Sequence, residues 1–271
     1  QKSDGVTEQV LVFEPIGCYR FKDDETGLYG YMDGKGKVII EPKYKYATDF
    51  QYLLNDYAQA YDENETVTII DKAGKEYLPF GKYRLVALPQ NELIIFEEEP
   101  FKYGVVNLEG ERILEPIYDK IEINNEGTIT VILDKKYGVF DKEGKAILDI
   151  GYEYIFQVED SLIAKKGDKS GLFNLKGEEV IPIIYEEVQI AHSVGKYEWE
   201  IFNVVNQEGK IAFFDNNGRQ LTDFLYDGVS PGRDGLIPVI KGDKWGYIDV
   251  KGEIAIPLEF DYASSFSNGD A

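Results

Sequence analysis

The sequence contains very few of the residues that most often build metal sites and covalent scaffolds. Its 271 residues include one cysteine, Cys18, and one histidine, His192. A single cysteine cannot form a disulfide within the chain, and a single histidine cannot supply a site of several cysteines and histidines. We therefore expect no cofactor and no metal, and Cys–His catalysis would have to use that one pair.

Long apolar runs and excess positive charge are also missing. No apolar stretch approaches the ~18 residues of a membrane-spanning helix, so no membrane insertion is expected. Aspartate and glutamate number 50 against 29 lysines and arginines, a formal net charge of −21. A surface of that sign repels phosphate backbones and anionic lipid, which argues against nucleic acid as a partner.

Aromatic residues and glycine are abundant instead. The chain has 20 tyrosines, 15 phenylalanines and 27 glycines, and amphipathic stretches rich in alanine and leucine are almost absent. This mixture favours strands and turns over helices. The sequence opens with Gln1 rather than methionine, which favours an extracytoplasmic protein, periplasmic or at the cell surface, whose signal peptide has been removed.

One short pattern recurs seven times along the chain. Its last copy, "KWGYIDVKGE" at 244–253, has an aromatic residue, a glycine, two apolar residues and an aspartate, with a second glycine three residues on. The anchor positions lie 33 to 41 residues apart. They are Asp33, Asp71, Asn107, Asp141, Asn174, Asp215 and Asp249. Such regular spacing identifies a repeat protein.

Each copy predicts a strand, a tight turn and a second strand. The anchor side chain is expected to cap the turn, and the following glycine to take the left-handed conformation. These glycines are Gly36, Gly74, Gly110, Gly144, Gly177, Gly218 and Gly252. The first strand carries the motif positions Tyr29-Gly30, Tyr103-Gly104, Tyr137-Gly138, Gly171 and Trp245-Gly246. Their glycines are expected to permit a close approach of a neighbouring backbone or ring.

The second strand and its surroundings complete the unit. A proline is expected to end this strand in four copies, at Pro42, Pro116, Pro182 and Pro257. An aromatic residue recurs eleven positions after the anchor, for example at Tyr44 and Phe260. A strand-like run precedes every anchor, so each repeat is predicted to be a meander of at least three strands. Stretches such as "YATDF" and "YASSF" supply a candidate fourth strand.

The seventh copy, "KWGYIDVKGEIAIPLEFDYASSF", resembles the bacterial WG repeat, also called the KWG repeat. The resemblance extends from about residue 16 to the end, although the second and sixth copies lack the motif glycine, at Thr68 and Ala212. Several proteins with such repeats are secreted. The resemblance implies an all-β repeat architecture and implies almost nothing about biochemical activity.

Two architectures satisfy this pattern within one domain of residues 1–271. Seven units of three or four strands favour a seven-bladed β-propeller-like ring, in which the N-terminal "EQVLVF" would complete the blade begun by the last copy. The alternative is an open solenoid of β-hairpins. The C-terminal "FSNGDA", which opens a further strand set, is more typical of the open array.

The recurring residues invite chemical interpretations that structural roles explain better. Calcium loops gather several oxygen ligands in one turn, whereas these turns usually carry one Asp or Asn and often a lysine next to it. The aromatics Tyr29, Tyr103, Tyr137 and Trp245 could form a sugar-stacking ladder, but residues in register with a repeat are first its core. The acidic "FEEEP" at 96–100 is best explained as a solvated strand end, and His192 as a surface residue of the longest insertion between repeats.

The sequence accordingly predicts no catalytic residues and no enzyme. The favoured function is a non-enzymatic binding or scaffold protein with an unidentified protein partner. The alternative is a carbohydrate or cell-wall binding module that uses exposed aromatic rings. Burial of the four motif aromatics would exclude a sugar ladder built on them, and an open groove lined by them would favour it.

Overall fold

The computed structural model describes residues 17–50, 56–192 and 200–266, with only the backbone described for Leu85 and His192. Every regular element in these ranges is a β-strand, which confirms the all-β prediction. The strands are β1 (Cys18–Lys22), β2 (Tyr29–Asp33), β3 (Val38–Tyr44), β4 (Tyr46–Ala47), β5 (Tyr57–Tyr61), β6 (Val67–Asp71), β7 (Leu85–Val86), β8 (Leu93–Glu99), β9 (Lys102–Asn107), β10 (Arg112–Tyr118), β11 (Lys120–Ile123), β12 (Ile129–Leu133), β13 (Lys136–Phe140), β14 (Ala146–Tyr152), β15 (Tyr154–Val158), β16 (Ser161–Lys166), β17 (Lys169–Asn174), β18 (Glu179–Tyr185), β19 (Glu187–His192), β20 (Ile201–Val205), β21 (Ile211–Asp215), β22 (Gly228–Val229), β23 (Leu236–Lys241), β24 (Lys244–Asp249) and β25 (Ile254–Phe260).

The strands form small antiparallel meanders, each around one anchor. The chain divides into two compact units, one up to Gly127 with Lys142–Gly144, the other Thr128–Asp141 and everything from Lys145 onward. The first unit holds the sheets β1-β2-β3, β4-β5-β6 and β7-β8-β9-β10, together with β11. The second holds β12-β13-β14, β15-β16-β17-β18, β19-β20-β21 and β22-β23-β24-β25. These meanders confirm the predicted all-β repeat architecture.

The core of each unit lies between consecutive sheets. In the second unit, Leu172 and Ile181 of one sheet pack with Phe202 and Phe214 of the next. In the first unit, Tyr31 and Ile40 pack in the same way with residues of β5 and β6. Strands such as β6 and β16 are therefore buried on both faces over four consecutive residues. Contacts between consecutive sheets therefore stabilise the fold, as expected for a repeat protein.

The outer strand of a complete repeat bulges beside the motif glycine. Tyr31 pairs with Ile40, whereas Tyr29 pairs with Tyr44, so β3 carries two more residues than β2 over this stretch. The extra backbone folds over Gly30, where a β-carbon would lie 2.5 Å from the Ile40 carbonyl oxygen. Only glycine fits beneath such a bulge.

The prediction that proline ends this strand is wrong. Pro42 lies within β3, and Pro116, Pro182 and Pro257 lie within β10, β18 and β25. The bulge interrupts the ladder at this point, so a residue without an N–H group is tolerated. The strand then resumes, and the aromatic eleven residues after the anchor pairs with the first motif position, as Trp245 does with Phe260.

The two copies without the motif glycine lack the outer strand. In the segments that directly follow β6 and β21, where the other copies have the outer strand, the described residues make only isolated bridges. Examples are Ile70 with Glu76 and Phe214 with Gln220. Thr68 and Ala212 are fully buried where the other copies have glycine. Their side chains occupy the space that the bulge would need, so the outer segment cannot pair in the same way.

The residues after each second strand belong to the next sheet. The "YATDF" stretch supplies β4, which pairs with β5 of the following repeat through Tyr46–Tyr61 and Ala47–Ala60. The equivalent "YASSF" after the last repeat forms no strand over residues 262–266. Both "EQVLVF" and the end of "FSNGDA" lie outside the described residues, so ring closure and the single domain stay predictions.

Candidate functional site

The anchor side chains cap their turns. Asp33 Oδ1 accepts hydrogen bonds from the backbone N–H groups of Lys35 and Lys37, both at 2.9 Å. The amide of Lys37, followed by that of Lys35, lowers the pKa of Asp33 below its ordinary value. The same two-donor pattern recurs at Asp71, Asn107, Asn174, Asp215 and Asp249. Asp141 accepts from Lys145 in the same way. Oxygens engaged by backbone donors serve the turn.

The turn glycines have a second role besides their conformation. Their φ values lie between 78° and 83° at Gly36, Gly74, Gly110, Gly144, Gly177, Gly218 and Gly252. In addition, a β-carbon at Gly177 would overlap the carbonyl oxygen of Ile147 in the preceding repeat. A β-carbon at Gly252 would lie 2.8 Å from the Leu221 carbonyl oxygen. Six of the seven turns thus abut the repeat before them, whereas nothing lies within 4 Å of a β-carbon at Gly36.

A recurrent ion pair joins the two ends of most repeats. The lysine that begins the motif lies seventeen residues before an acidic residue that follows the outer strand or segment. The pairs are Lys102–Asp119, Lys136–Glu153, Lys169–Glu186, Lys210–Asp227 and Lys244–Asp261. Glu153 also accepts the N–H of Gly167, the hairpin turn of the next repeat, at 2.9 Å. Asp227 accepts the N–H of Gly242 in the same way at 2.7 Å, so these two acids connect successive repeats.

The four motif aromatics are neither fully buried nor exposed. Tyr29, Tyr103, Tyr137 and Trp245 are all half-buried at the start of their strands. Tyr29 makes an edge contact with Tyr46 at 5.7 Å between ring centroids, and Tyr137 makes one with Tyr154 at 5.8 Å. Tyr29 and Tyr137 thus each support an exposed ring that follows the outer strand.

Two exposed rings that contact each other lie on β15 in the second unit. Tyr154 and Phe156 are both 47% exposed, and their ring planes are within 6° of parallel, with centroids 6.5 Å apart. Residues two apart on a strand share one face, which places both rings on the same side of the sheet. Tyr137 holds Tyr154 from one side through the edge contact.

These rings form one wall of a concave surface, which we call the aromatic groove. β19 lines the same groove, and its Glu187 and Gln189 are exposed on either side of buried Val188. Ile163 of β16 also lines the groove and is 9% exposed. The groove has a volume of about 390 Å³. Apolar or aromatic and polar side chains line it in equal numbers, and such convergence of apolar surface with polar groups occurs in ligand-binding clefts.

The charged groups around the aromatic groove have defined partners or positions. Glu186 pairs with Lys169 at 2.5 Å, which fixes the residue before β19. Glu187 Oε1 accepts a hydrogen bond from Gln189 Nε2 at 2.5 Å. Lys165 faces Tyr154 across the β15–β16 ladder and also lines the groove. The groove therefore combines the two rings with a carboxylate and an amide, and an ammonium group lies across the ladder from Tyr154.

The acidic cluster predicted as a solvated strand end is tied into the fold. Glu97 Oε1 accepts the N–H of Phe101 at 3.1 Å, and Glu98 pairs with Arg112. His192 ends β19 and its side chain lies outside the described residues, as does the insertion at 193–199. Within the described ranges, no group of three or more His, Cys, Asp or Glu side chains is arranged to hold a metal ion. That part of the chain also has no helix suited to crossing a membrane.

The aromatic groove was not predicted from the sequence, because its rings lie outside the repeated motif. A signal was nevertheless present: tyrosine recurs thirteen residues after the anchor at Tyr46, Tyr154 and Tyr262, and all three are exposed. The spacing of seventeen residues between the lysine and the acid of each ion pair was also visible in the sequence. What could not be read was that β15 and β19, from different repeats, line one cleft.

Comparison with known proteins identifies the repeat. A sequence model described as "WG containing repeat" matches residues 29–63, 103–137, 171–190, 211–245 and 245–269, together more than half of the chain. A comparison with curated proteins finds no match.

Solved structures give only distant likenesses. AztD from Citrobacter koseri is 12% identical, covers 89% of this chain and 78% of its own, and has a TM-score of 0.35. BamB from Moraxella catarrhalis is 12% identical, with coverages of 73% and 72% and a TM-score of 0.30. The designed protein Ika8 is 11% identical, with coverages of 86% and 80% and a TM-score of 0.31.

Proposed function

Because the chain belongs to the family of proteins built from WG repeats, we propose that it is a non-enzymatic binding protein whose repeats hold the aromatic groove ready for a protein partner. The observation that carries this proposal is the exposed ring pair of Tyr154 and Phe156. Large rings left in water are costly, and aromatic side chains dominate the energetics of protein interfaces. Their position in a cleft supports a role in docking.

The strands that line the groove favour binding without rearrangement. β15 is paired along its length with β16, and β19 with β20. The Lys169–Glu186 pair fixes the entry to β19, and Val188 is buried in the core between the sheets. A preformed cleft loses little conformational entropy when a partner docks, and that entropy is a major cost of association.

A non-enzymatic role is supported by how the recurring acids are used. The anchor aspartates accept backbone N–H groups, and the acids after each repeat pair with lysines. These groups maintain turns and connect repeats. General acid–base catalysis instead requires side chains that converge on one substrate position.

A display selection with random heptapeptides tests the proposal. The wild-type protein is expected to enrich peptides that the variant with Tyr154→Ser and Phe156→Ser no longer retains. The control is Phe260→Ser, because Phe260 is 48% exposed and lies outside the aromatic groove. If the double variant retains the same peptides as the wild type, the groove is not the docking site and the proposal is overturned.

A carbohydrate ligand is the second candidate, favoured by the parallel rings of Tyr154 and Phe156. Parallel aromatic rings on one strand offer stacking surface for a sugar ring, and Gln189 and Glu187 of the same groove can bind its hydroxyl groups. A glycan array with the same three proteins distinguishes the candidates. A glycan bound by wild type and Phe260→Ser, but not by the double variant, would replace the protein partner with a carbohydrate.

A further inference from the structure

We propose that the aromatic groove selects an organic cation, so that the docked segment places a lysine or arginine side chain against Tyr154 and Phe156. This inference rests on the proposed function, because it names the chemistry of the partner at the same site. Three observations carry it: the exposed ring pair, the carboxylate that lines the same groove, and the charge of the chain.

The ring pair supplies the first element of a cation site. A guanidinium or ammonium group over an aromatic face is attracted by the negative face of the ring, and paired rings form the side of an aromatic cage. Tyr154 and Phe156 each leave nearly half of their surface exposed. Tyr137 supports Tyr154 by an edge contact at 5.8 Å, so the ring is held while its surface stays accessible.

The carboxylate of Glu187 supplies the second element. Among the described residues, Glu187 has an amide donor, Gln189, and no cationic partner, whereas Glu186 beside it is paired with Lys169. A carboxylate without a cation at the rim of an apolar cleft favours a positively charged guest. A guanidinium could lie on the rings and pair with Glu187 at the same time.

The charge of the whole chain supplies the third element. A formal net charge of −21 attracts basic partners over distances of a Debye length and speeds their association. Charge complementarity of this kind sets which partner docks more than how tightly it binds. The net charge thus attracts a basic segment to the protein, and the rings and carboxylate of the groove then bind it.

Lys165 is the cationic side chain among the residues that line the groove. Replacing it therefore tests whether the bound guest is positively charged. Lys165 lies across the ladder from Tyr154, where it repels a positively charged guest. Removing its charge should therefore strengthen the binding of a cation. The opposite change, at Glu187, should weaken it.

The experiment uses the peptides recovered by the display selection, remade with norleucine for each lysine and citrulline for each arginine. Fluorescence anisotropy measures the binding of both forms to wild type, Lys165→Met, Glu187→Gln and Phe260→Ser. The charged peptide should bind more tightly than its neutral analogue. Lys165→Met should tighten it about two- to fivefold and Glu187→Gln should weaken it by a similar factor, with Phe260→Ser unchanged. Added salt should reduce the difference between the two forms.

Three other outcomes would overturn the inference. If charged and neutral peptides bind equally and both charge variants behave as wild type, the groove takes an apolar segment, and the protein-binding function stands. If Lys165→Met weakens binding, the guest is anionic or polar. If the selection recovers no groove-dependent peptide and the glycan array gives a groove-dependent signal, the proposed function fails together with the inference.

Discussion

The hydroxyl of Thr68 makes two contacts with the backbone of Leu78. Thr68 Oγ1 donates a hydrogen bond to the Leu78 carbonyl at 2.6 Å and accepts one from the Leu78 N–H at 3.2 Å. This occurs in the repeat that has threonine instead of the motif glycine and that lacks the outer strand. The side chain therefore satisfies backbone groups that have no strand partner here.

Replacing Thr68 with valine should destabilise the protein by about 2 kcal/mol, because the buried polar groups of Leu78 lose their partner while the shape of the side chain is kept. Urea unfolding followed by circular dichroism measures the change. Thr26→Val is the control, since its hydroxyl bonds to Asp23 at the surface. Equal effects of the two substitutions would show that the Leu78 contacts contribute nothing particular.

Gly177 should tolerate alanine less well than a turn glycine with free space. Alanine at Gly209, where φ is 76° and nothing lies within 4 Å of a β-carbon, should cost about 1 kcal/mol for the left-handed conformation alone. Gly177→Ala should cost about 3 kcal/mol, because the methyl group also overlaps the backbone of Ile147. Denaturant unfolding of the two variants gives the comparison. A difference near zero would mean that the repeats separate easily at this contact.

Glu153 should make stability depend on acidic pH. The hydrogen bond that it accepts from Lys136 Nζ, followed by the one from the Gly167 N–H, lowers the pKa of Glu153 to about 2. Its stabilising contribution is therefore fully present above the ordinary glutamate pKa of about 4.3 and is lost as the pH falls toward 2. Wild type should be more stable than Glu153→Gln at pH 7, with the difference shrinking over that range. Glu208→Gln should match wild type throughout; a constant gap for Glu153→Gln would refute the titration.

Glu200 should act in the opposite direction. Its Oε2 accepts a hydrogen bond from Ser161 at 2.8 Å, its buried Oε1 has no hydrogen-bond partner among the described residues, and burial raises the pKa of Glu200. A raised carboxyl pKa disfavours the folded state at neutral pH, and this penalty disappears as the pH falls through the folded pKa. Glu200→Gln should raise the Tm by about 2 °C at pH 7 and by less at pH 4. A lower Tm at pH 7 would show that the charge is needed.

Phe101 should be a site where glycine stabilises the chain. It is 78% exposed in the β8–β9 turn, with φ of 62°, although a bulky side chain is disfavoured in that conformation. Phe101→Gly should increase stability by about 1 kcal/mol, whereas Phe101→Ala keeps the conformational cost and should give no comparable gain. Equal stability of these two variants in chemical denaturation would indicate that the turn relaxes around the side chain.

The sequence by itself determined the repeat and the order of strands and turns within each copy. Glycine three residues after Asp33 and its counterparts fixes a turn through local sterics, and alternating apolar residues fix strands. Such information lies within a few residues of the chain. Even the absent glycines at Thr68 and Ala212 were visible, and they mark the two repeats that lack the outer strand.

Only the tertiary structure decided what lies between repeats. The bulge that keeps Pro42 within β3 depends on how that strand folds over Gly30, and the contact of Gly177 with Ile147 joins different copies. The aromatic groove arises because exposed residues of β15 and β19 line one cleft. Spacing along a chain specifies neighbours on one strand, whereas a cleft depends on the packing of one sheet against the next, which no local pattern contains.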